Sequence, residues 1–318
     1  MEDESPIDIE PVEGAGAETP VVANAAPGPH TKALEALLAE QRKGLVGNIL
    51  AAVTGARKPD AAVLDEAEQA LSDGDYHSVF NILCDGTGAP KFPDDSTAMS
   101  ILACMYIATK AYGASVECIE NCGPEMLYND KKMVVAYVTA LVALRKEDDL
   151  EVLVSVDNAP FAEALTPALA KNILNIIDDA KLYSLLYKIA GAMMEIHPYL
   201  ARDPRVAAHY TRGCNYMRKH EDTIKFFGGE KGSSPSLHDA ECVKNLAYAH
   251  IRNRDIARAE AAISRGISGG IPVEEFHSLI RTLVNLHHED GNTHGAEALV
   301  SKAIREWRMA RRLLRNAA

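Results

Sequence analysis

The stretch HHEDGNTH brings His287, His288, Glu289, Asp290 and His294 within eight residues. These are the residue types that bind a divalent metal. Adjacent residues on a helix diverge by about 100°, so His287 and His288 cannot face one ion from a helix. The Gly-Asn pair that follows breaks the pattern as a turn does. A turn is therefore expected here, and no metal site. Cys118 and Cys122 stand four apart, which would put both on one helix face, and this is not the CxxC spacing of a redox or zinc knuckle. All six cysteines (Cys84, Cys104, Cys118, Cys122, Cys214 and Cys242) read as small buried residues. The carboxylate pairs Asp148-Asp149 and Asp178-Asp179 fall at breaks in the apolar pattern. They are expected as polar turns and helix N-termini. No glycine-rich phosphate loop, GxSxG elbow or HExxH pair is present. The sequence thus predicts a protein without catalytic residues and without a cofactor.

Charge supplies the stronger candidates. From Lys302 to Arg315 six basic residues face a single acid, Glu306. Arg305, Arg308, Arg312 and Arg315 follow three- and four-residue steps and so share one face of a helix. With Trp307 and Arg311 they form the candidate interaction surface, facing an acidic partner. The same cations also suit a helix C-terminus, and Trp307 could equally cover the apolar end of a helical stack. The other end is opposite in sign. Residues 1–30 hold seven acids, five prolines and no Lys or Arg. Such a segment lacks the apolar surface to order itself, and it is unlike a mitochondrial presequence. Removing its seven acids from the net charge of −12 still leaves −5, which argues against a cationic nucleic-acid track.

The elements that must position these residues are helices. Apolar residues make up 47% of the chain and aromatics only 6%, so the core must close through Ala, Leu, Ile and Val. Alternating strands joined by hairpin dipeptides are missing. The longest apolar run, Met133 to Leu144, is too short to cross a bilayer as a helix and reads as a buried one. Breaks at Asp75, Tyr112, Lys146, Asp178, His220, Asp255 and Asn292 are each followed by apolar residues four and seven positions on. Their steps are 37, 34, 32, 42, 35 and 37 residues. A helix-like segment precedes each break, and several open on cap residues: Asp94-Asp95-Ser96, Asn129-Asp130, Thr166-Pro167, Asp203-Pro204 and Ser236. The pair Ala259-Glu260 returns 37 residues later as Ala296-Glu297. Two helices per period, about seven times over, predict an all-α, right-handed α-solenoid of helical hairpins. The expected layout is an acidic tail (1–30), a leading helix (31–55), the repeat array (56–305) and a basic helix end (306–318).

The segment around Gly266-Ile267, Pro272, Phe276, Leu279-Ile280, Gly291 and Ala296 to Val300 resembles a pentatricopeptide repeat. A looser likeness runs through Pro93, Ile101-Leu102 and Gly113. The other units are equally tetratricopeptide-like. The pentatricopeptide likeness implies base reading by a polar residue of the first helix, with Ser278 in that place. Equivalent polar residues do not recur through consecutive units, so tight RNA binding is not expected. The alanine-rich composition, size and acidic tail are also similar to the associated subunits of the mitochondrial ATP synthase peripheral stalk of chlorophycean algae. That likeness implies an architectural subunit among other proteins, peripheral to the inner membrane. The alternatives are a cytosolic adaptor and an organellar RNA-associated repeat protein.

Overall fold

The computed structural model describes residues 58–228 and 235–317, with side chains outside the description at 235–236 and 306–317. The acidic tail and the leading helix expected at 31–55 lie outside the described residues. What is described is helical. The α-helices are α1 (Ala61–Ser72), α2 (Tyr76–Leu83), α3 (Ser96–Ala108), α4 (Tyr112–Glu120), α5 (Pro124–Asn129), α6 (Lys131–Ala143), α7 (Glu147–Leu153) and α8 (Ala159–Ala164). They continue as α9 (Pro167–Asp179), α10 (Tyr183–Ile196), α11 (Pro204–Tyr216), α12 (His220–Gly228), α13 (Ala240–Arg252), α14 (Ile256–Ser268), α15 (His277–Glu289) and α16 (Thr293–Ala317). Among the described residues there is no β-strand, and the extended pairing is a single bridge between Cys84 and Pro90. No described helix is long and apolar enough to cross a membrane.

Helix starts follow the cap residues. Asp95 accepts a hydrogen bond from the backbone N–H of Ala98 at 2.9 Å, and Asp130 from that of Lys132 at 2.8 Å. Thr166 and Asp203 cap α9 and α11, each followed by a proline at the first helical position. The cap expected at Ser236 is instead Asp239, because a 3₁₀ turn, Pro235–His238, comes first. The apolar run becomes α6, with Met133, Val134, Ala136, Val138, Ala140 and Leu141 buried.

Helix ends carry the repeat. Of the residues with positive φ, seven stand between the two helices of a hairpin, Gly74, Lys110, Arg145, Lys181, Arg218, Arg254 and Gly291, at intervals of 36, 35, 36, 37, 36 and 37 residues; Gly88, Gly123 and Gly270 lie in other loops. At each of the seven, two backbone bonds close the preceding helix. The N–H of Lys181 meets the carbonyl of Asp178 at 2.8 Å, and that of Leu182 meets Ile177 at 3.2 Å. The other six turns repeat this pair of bonds. It is the left-handed turn that satisfies orphan carbonyls at a helix C-terminus. The sequence placed the fourth break at Asp178, and this is corrected to Lys181. Asp178 lies inside the last turn of α9, and measured between the turn residues Arg145, Lys181 and Arg218 the uneven 32- and 42-residue steps become 36 and 37.

Five of the seven turns use Lys or Arg where glycine meets no steric penalty. Replacing Lys181 or Arg218 by Gly should therefore stabilise the protein by about 0.5 kcal/mol, the relief at Cβ being partly offset by a more flexible unfolded chain. Replacing Gly74 by Ala should cost about 1 kcal/mol. Urea midpoints of the three variants check the signs.

The chain divides into two compact units, one ending at Ile271 and one beginning at Pro272. In the first, each hairpin packs on the next: α3 touches its own partner α4 and the following first helix α6, α6 touches α9, α9 touches α11, and α11 touches α13. Two positions are fully buried in all six hairpins, seven residues before the turn residue and five after it. They are Ala67 and Val79, Ala103 and Ser115, Val138 and Leu150, Leu174 and Leu186, Thr211 and Thr223, and Ala247 and Ala259, all 0% exposed. The Ser115 hydroxyl reaches the Ala103 carbonyl at 3.3 Å, and the Thr223 hydroxyl that of Thr211 at 3.4 Å. The hairpins thus share one register. In the second unit α15 packs on α16 and on a 3₁₀ turn, Val273–Phe276, that buries Phe276 completely.

Candidate protein-interaction surfaces

The backbone of α16 is helical through Arg305, Trp307, Arg308, Arg311, Arg312 and Arg315. Arg305 is exposed; the side chains of the other five lie outside the described residues. The histidine stretch resolves into a turn. His287 is buried with its Nδ1 3.2 Å from the Asn292 amide, while His288 is exposed, so the neighbours diverge. Among the described residues no group of three His, Cys, Asp or Glu is set to hold a metal. Ser278 is exposed on the first turn of α15.

Cys118 and Cys122 do not share a helix face. Helix α4 ends at the cap Asn121, and Cys122 follows it, its thiol bonded to the Cys118 carbonyl at 3.0 Å. The six thiols are free. Burial pushes the Cys84 thiol up to about 12, helped by Asp85, and the Cys214 thiol up to about 11. Such thiols are poor nucleophiles at neutral pH.

The carboxylate pairs part company. Asp148 and Asp149 lie in the first turn of α7, where their charge suits the helix N-terminus. Asp178 and Asp179 end α9 instead, which contradicts the expected N-terminal role. Asp178 survives at the wrong pole of its helix because the Arg212 guanidinium of α11 pairs with it. Arg212 Nη1 donates to its Oδ2 at 2.6 Å, and His209 Nδ1 lies 3.3 Å from the same oxygen. His209 Nε2 bonds Asn175 Oδ1 at 2.9 Å. The other arm of Arg212 donates to Glu241 on α13 at 2.8 Å, and Glu241 also pairs with Lys244. One chain of charge-assisted bonds therefore crosses three successive first helices, α9, α11 and α13. The sequence singles out Asp178 but not His209, Arg212 or Glu241; the bonded partners lie 34 residues apart from Asp178 to Arg212 and 29 from Arg212 to Glu241.

This chain predicts a pH dependence. Burial raises the Glu241 carboxyl, but Lys244 and Arg212 outweigh it and hold the group below its usual 4.5. Burial also lowers the imidazoles of His250 and His220 below 6.5. In all three the unfolded chain binds protons more readily, so stability rises with pH. The histidine contribution is present above about pH 6.5 and is lost as pH falls through the depressed folded values. The Glu241 contribution is lost below pH 4.5. Urea midpoints should fall steadily from pH 7.5 to pH 4, and His250→Phe should flatten the upper part of that fall.

The turn edge of the first unit carries the other candidate surface. Leu144, Tyr216 and Met217 are exposed there, at 40%, 45% and 41%. Tyr183 and Tyr216 stack in parallel with centroids 3.5 Å apart. Beside them Tyr187 stacks on Tyr210, and Lys219 lies over the Tyr187 ring at 4.0 Å. No model of a known protein family matches the chain, and no curated protein matches it at a significant level.

Proposed function

We propose that this protein is a non-catalytic helical-repeat scaffold that holds other proteins, its hairpins stacked as a right-handed α-solenoid. The observation that carries this reading is the set of seven equivalent turns at intervals of 35–37 residues. A unit of two short helices cannot bury its apolar stripe alone; it must stack on neighbours, and a stack exposes long surfaces suited to partner proteins. The assembly we propose is the peripheral stalk of a mitochondrial ATP synthase dimer, supported by the alanine-rich composition and the acidic tail. Residues 1–30 and the basic end of α16 would then dock to neighbours through screened charge, in a salt-dependent way.

Two experiments test this. In a stack, one whole period can be removed. Deletion of residues 146–181 joins Arg145 to Leu182 and should leave a cooperative, fully helical protein, whereas deletion of 18 residues should not fold. If both deletions unfold the chain, the stacking reading fails. Mild purification of the tagged protein from its own cells tests the assembly. Co-purification of inner-membrane energy-transducing subunits supports the stalk, ribosomal proteins or transcripts support an RNA-associated role instead, and a lone monomer counts against both.

A further inference from the structure

Three consecutive turns of the first unit converge on one cleft of about 330 Å³. It is lined by Glu147 after the Arg145 turn, by Lys181 and Tyr183 at the next, and by Tyr216 and Met217 before the Arg218 turn. The stacked pair Tyr183–Tyr216 forms a flat aromatic wall, and Met217 offers a pliable thioether beside it. The cleft has room for one bulky side chain.

The charge around it is specific. Arg145, Lys181 and Arg218 are exposed, each in the left-handed conformation of its turn. Lys146 turns to Asp149 at 3.3 Å, and Lys219 covers the Tyr187 ring. Arg145, Lys181 and Arg218 pair with no carboxylate among the described residues. Of these three cations Lys181 lines the cleft itself, across from Glu147, while Arg145 and Arg218 stand at the neighbouring turns one repeat to either side, on a chain whose net charge is −12. A continuous polyphosphate would meet the acidic first turns of α7 (Glu147, Asp148, Asp149) and α12 (Glu221, Asp222). An acidic peptide can place its carboxylates at separate points and avoid them.

We propose that this cleft binds an acidic peptide segment carrying one aromatic or large aliphatic anchor. The anchor enters between the tyrosine wall and Met217, and flanking carboxylates reach Arg145, Lys181 and Arg218. The proposal rests on the scaffold reading only in naming a protein partner; the cleft itself does not depend on the stalk or on any other assembly.

The test uses the full chain and a fluorescein-labelled peptide in which Glu residues are spaced by Gly and Ser on both sides of a central Phe, followed by anisotropy. Binding should weaken at least tenfold between 50 and 300 mM salt, and at least tenfold when Phe is replaced by Ser. The variants Lys181→Gly and Arg218→Gly remove charge at positions where glycine relaxes the backbone, so they should melt no lower than the parent. Together they should weaken binding at least tenfold. Met217→Asp should do likewise, and Lys171→Glu, on the exposed side of α9, should change nothing. Equal binding by the parent and the double glycine variant overturns the proposal. So does tighter binding of a poly(U) oligonucleotide at the same salt, or no binding of the Phe peptide by the parent.

Discussion

Replacing Gly213 by alanine is expected to destabilise the protein by about 2–3 kcal/mol, as overpacking of a close contact does. Gly213 lies buried in α11, against α10. A Cβ there would sit 2.8 Å from the backbone nitrogen of Tyr187 and 2.9 Å from its Cα. Neither atom belongs to a flexible side chain, so the helices themselves must move apart. That movement would disturb the Tyr187–Tyr210 stack and the lysine above it. The control is Gly191→Ala on α10, where the new methyl meets only the Tyr210 ring edge at 3.8 Å. With ordinary van der Waals contact and better helix propensity, Gly191→Ala should gain about 0.5–1 kcal/mol. Chemical denaturation of the two variants should move the midpoint in opposite directions. Equal shifts would mean that the α10–α11 approach is loose.

The helices and their approximate spacing were legible because the cap residues and apolar stripes that specify them are local. Asp95, Asp130, Thr166 and Asp203 announce their helices directly. The regularity of the repeat was not legible. Its fixed points are a left-handed turn residue filled by Gly, Lys or Arg, and two buried positions filled by anything from Ala67 to Leu186. The conformation repeats while the residue type does not, so a search for similar letters finds only fragments. The echo of Ala259 in Ala296 was such a fragment. Both stand five residues after their turns, and both are buried.

The candidate surfaces were less legible for the same reason. The arginines of α16 are conspicuous because they are dense in sequence. Lys181, Tyr216 and Met217 are not dense in anything; they meet at one cleft only because successive turns stack. Asp178 was misread because a carboxylate at a break resembles a helix N-cap. Its true neighbours, His209 and Arg212, are supplied by the next first helix.

Loss of Arg212 is the second large effect expected. Arg212→Met keeps the length of the side chain and its packing but removes both donors. Asp178, only 12% exposed, would be left with His209 alone, and Glu241 with Lys244. Stranding one partner of a buried pair costs about 3–5 kcal/mol. Arg212 and Glu241 are about a third exposed, at 33% and 35%, so solvent screens that arm. A net loss of about 2 kcal/mol follows. The double variant Arg212→Met with Asp178→Asn removes the stranded charge. Its cost should therefore fall short of the sum of the single costs by about 1 kcal/mol or more. The exposed pair Lys132–Glu68, at 71% and 48%, gives the contrast, with a coupling below about 0.5 kcal/mol. Because Arg212 joins helices of three successive hairpins, its removal should also loosen the cooperation between them. Hydrogen exchange read by mass spectrometry should then show α13 opening at lower free energy than α9, where the parent protects both alike. If the two helices stay equally protected in Arg212→Met, the apolar contacts between hairpins carry the coupling, and the charged chain only fixes their register.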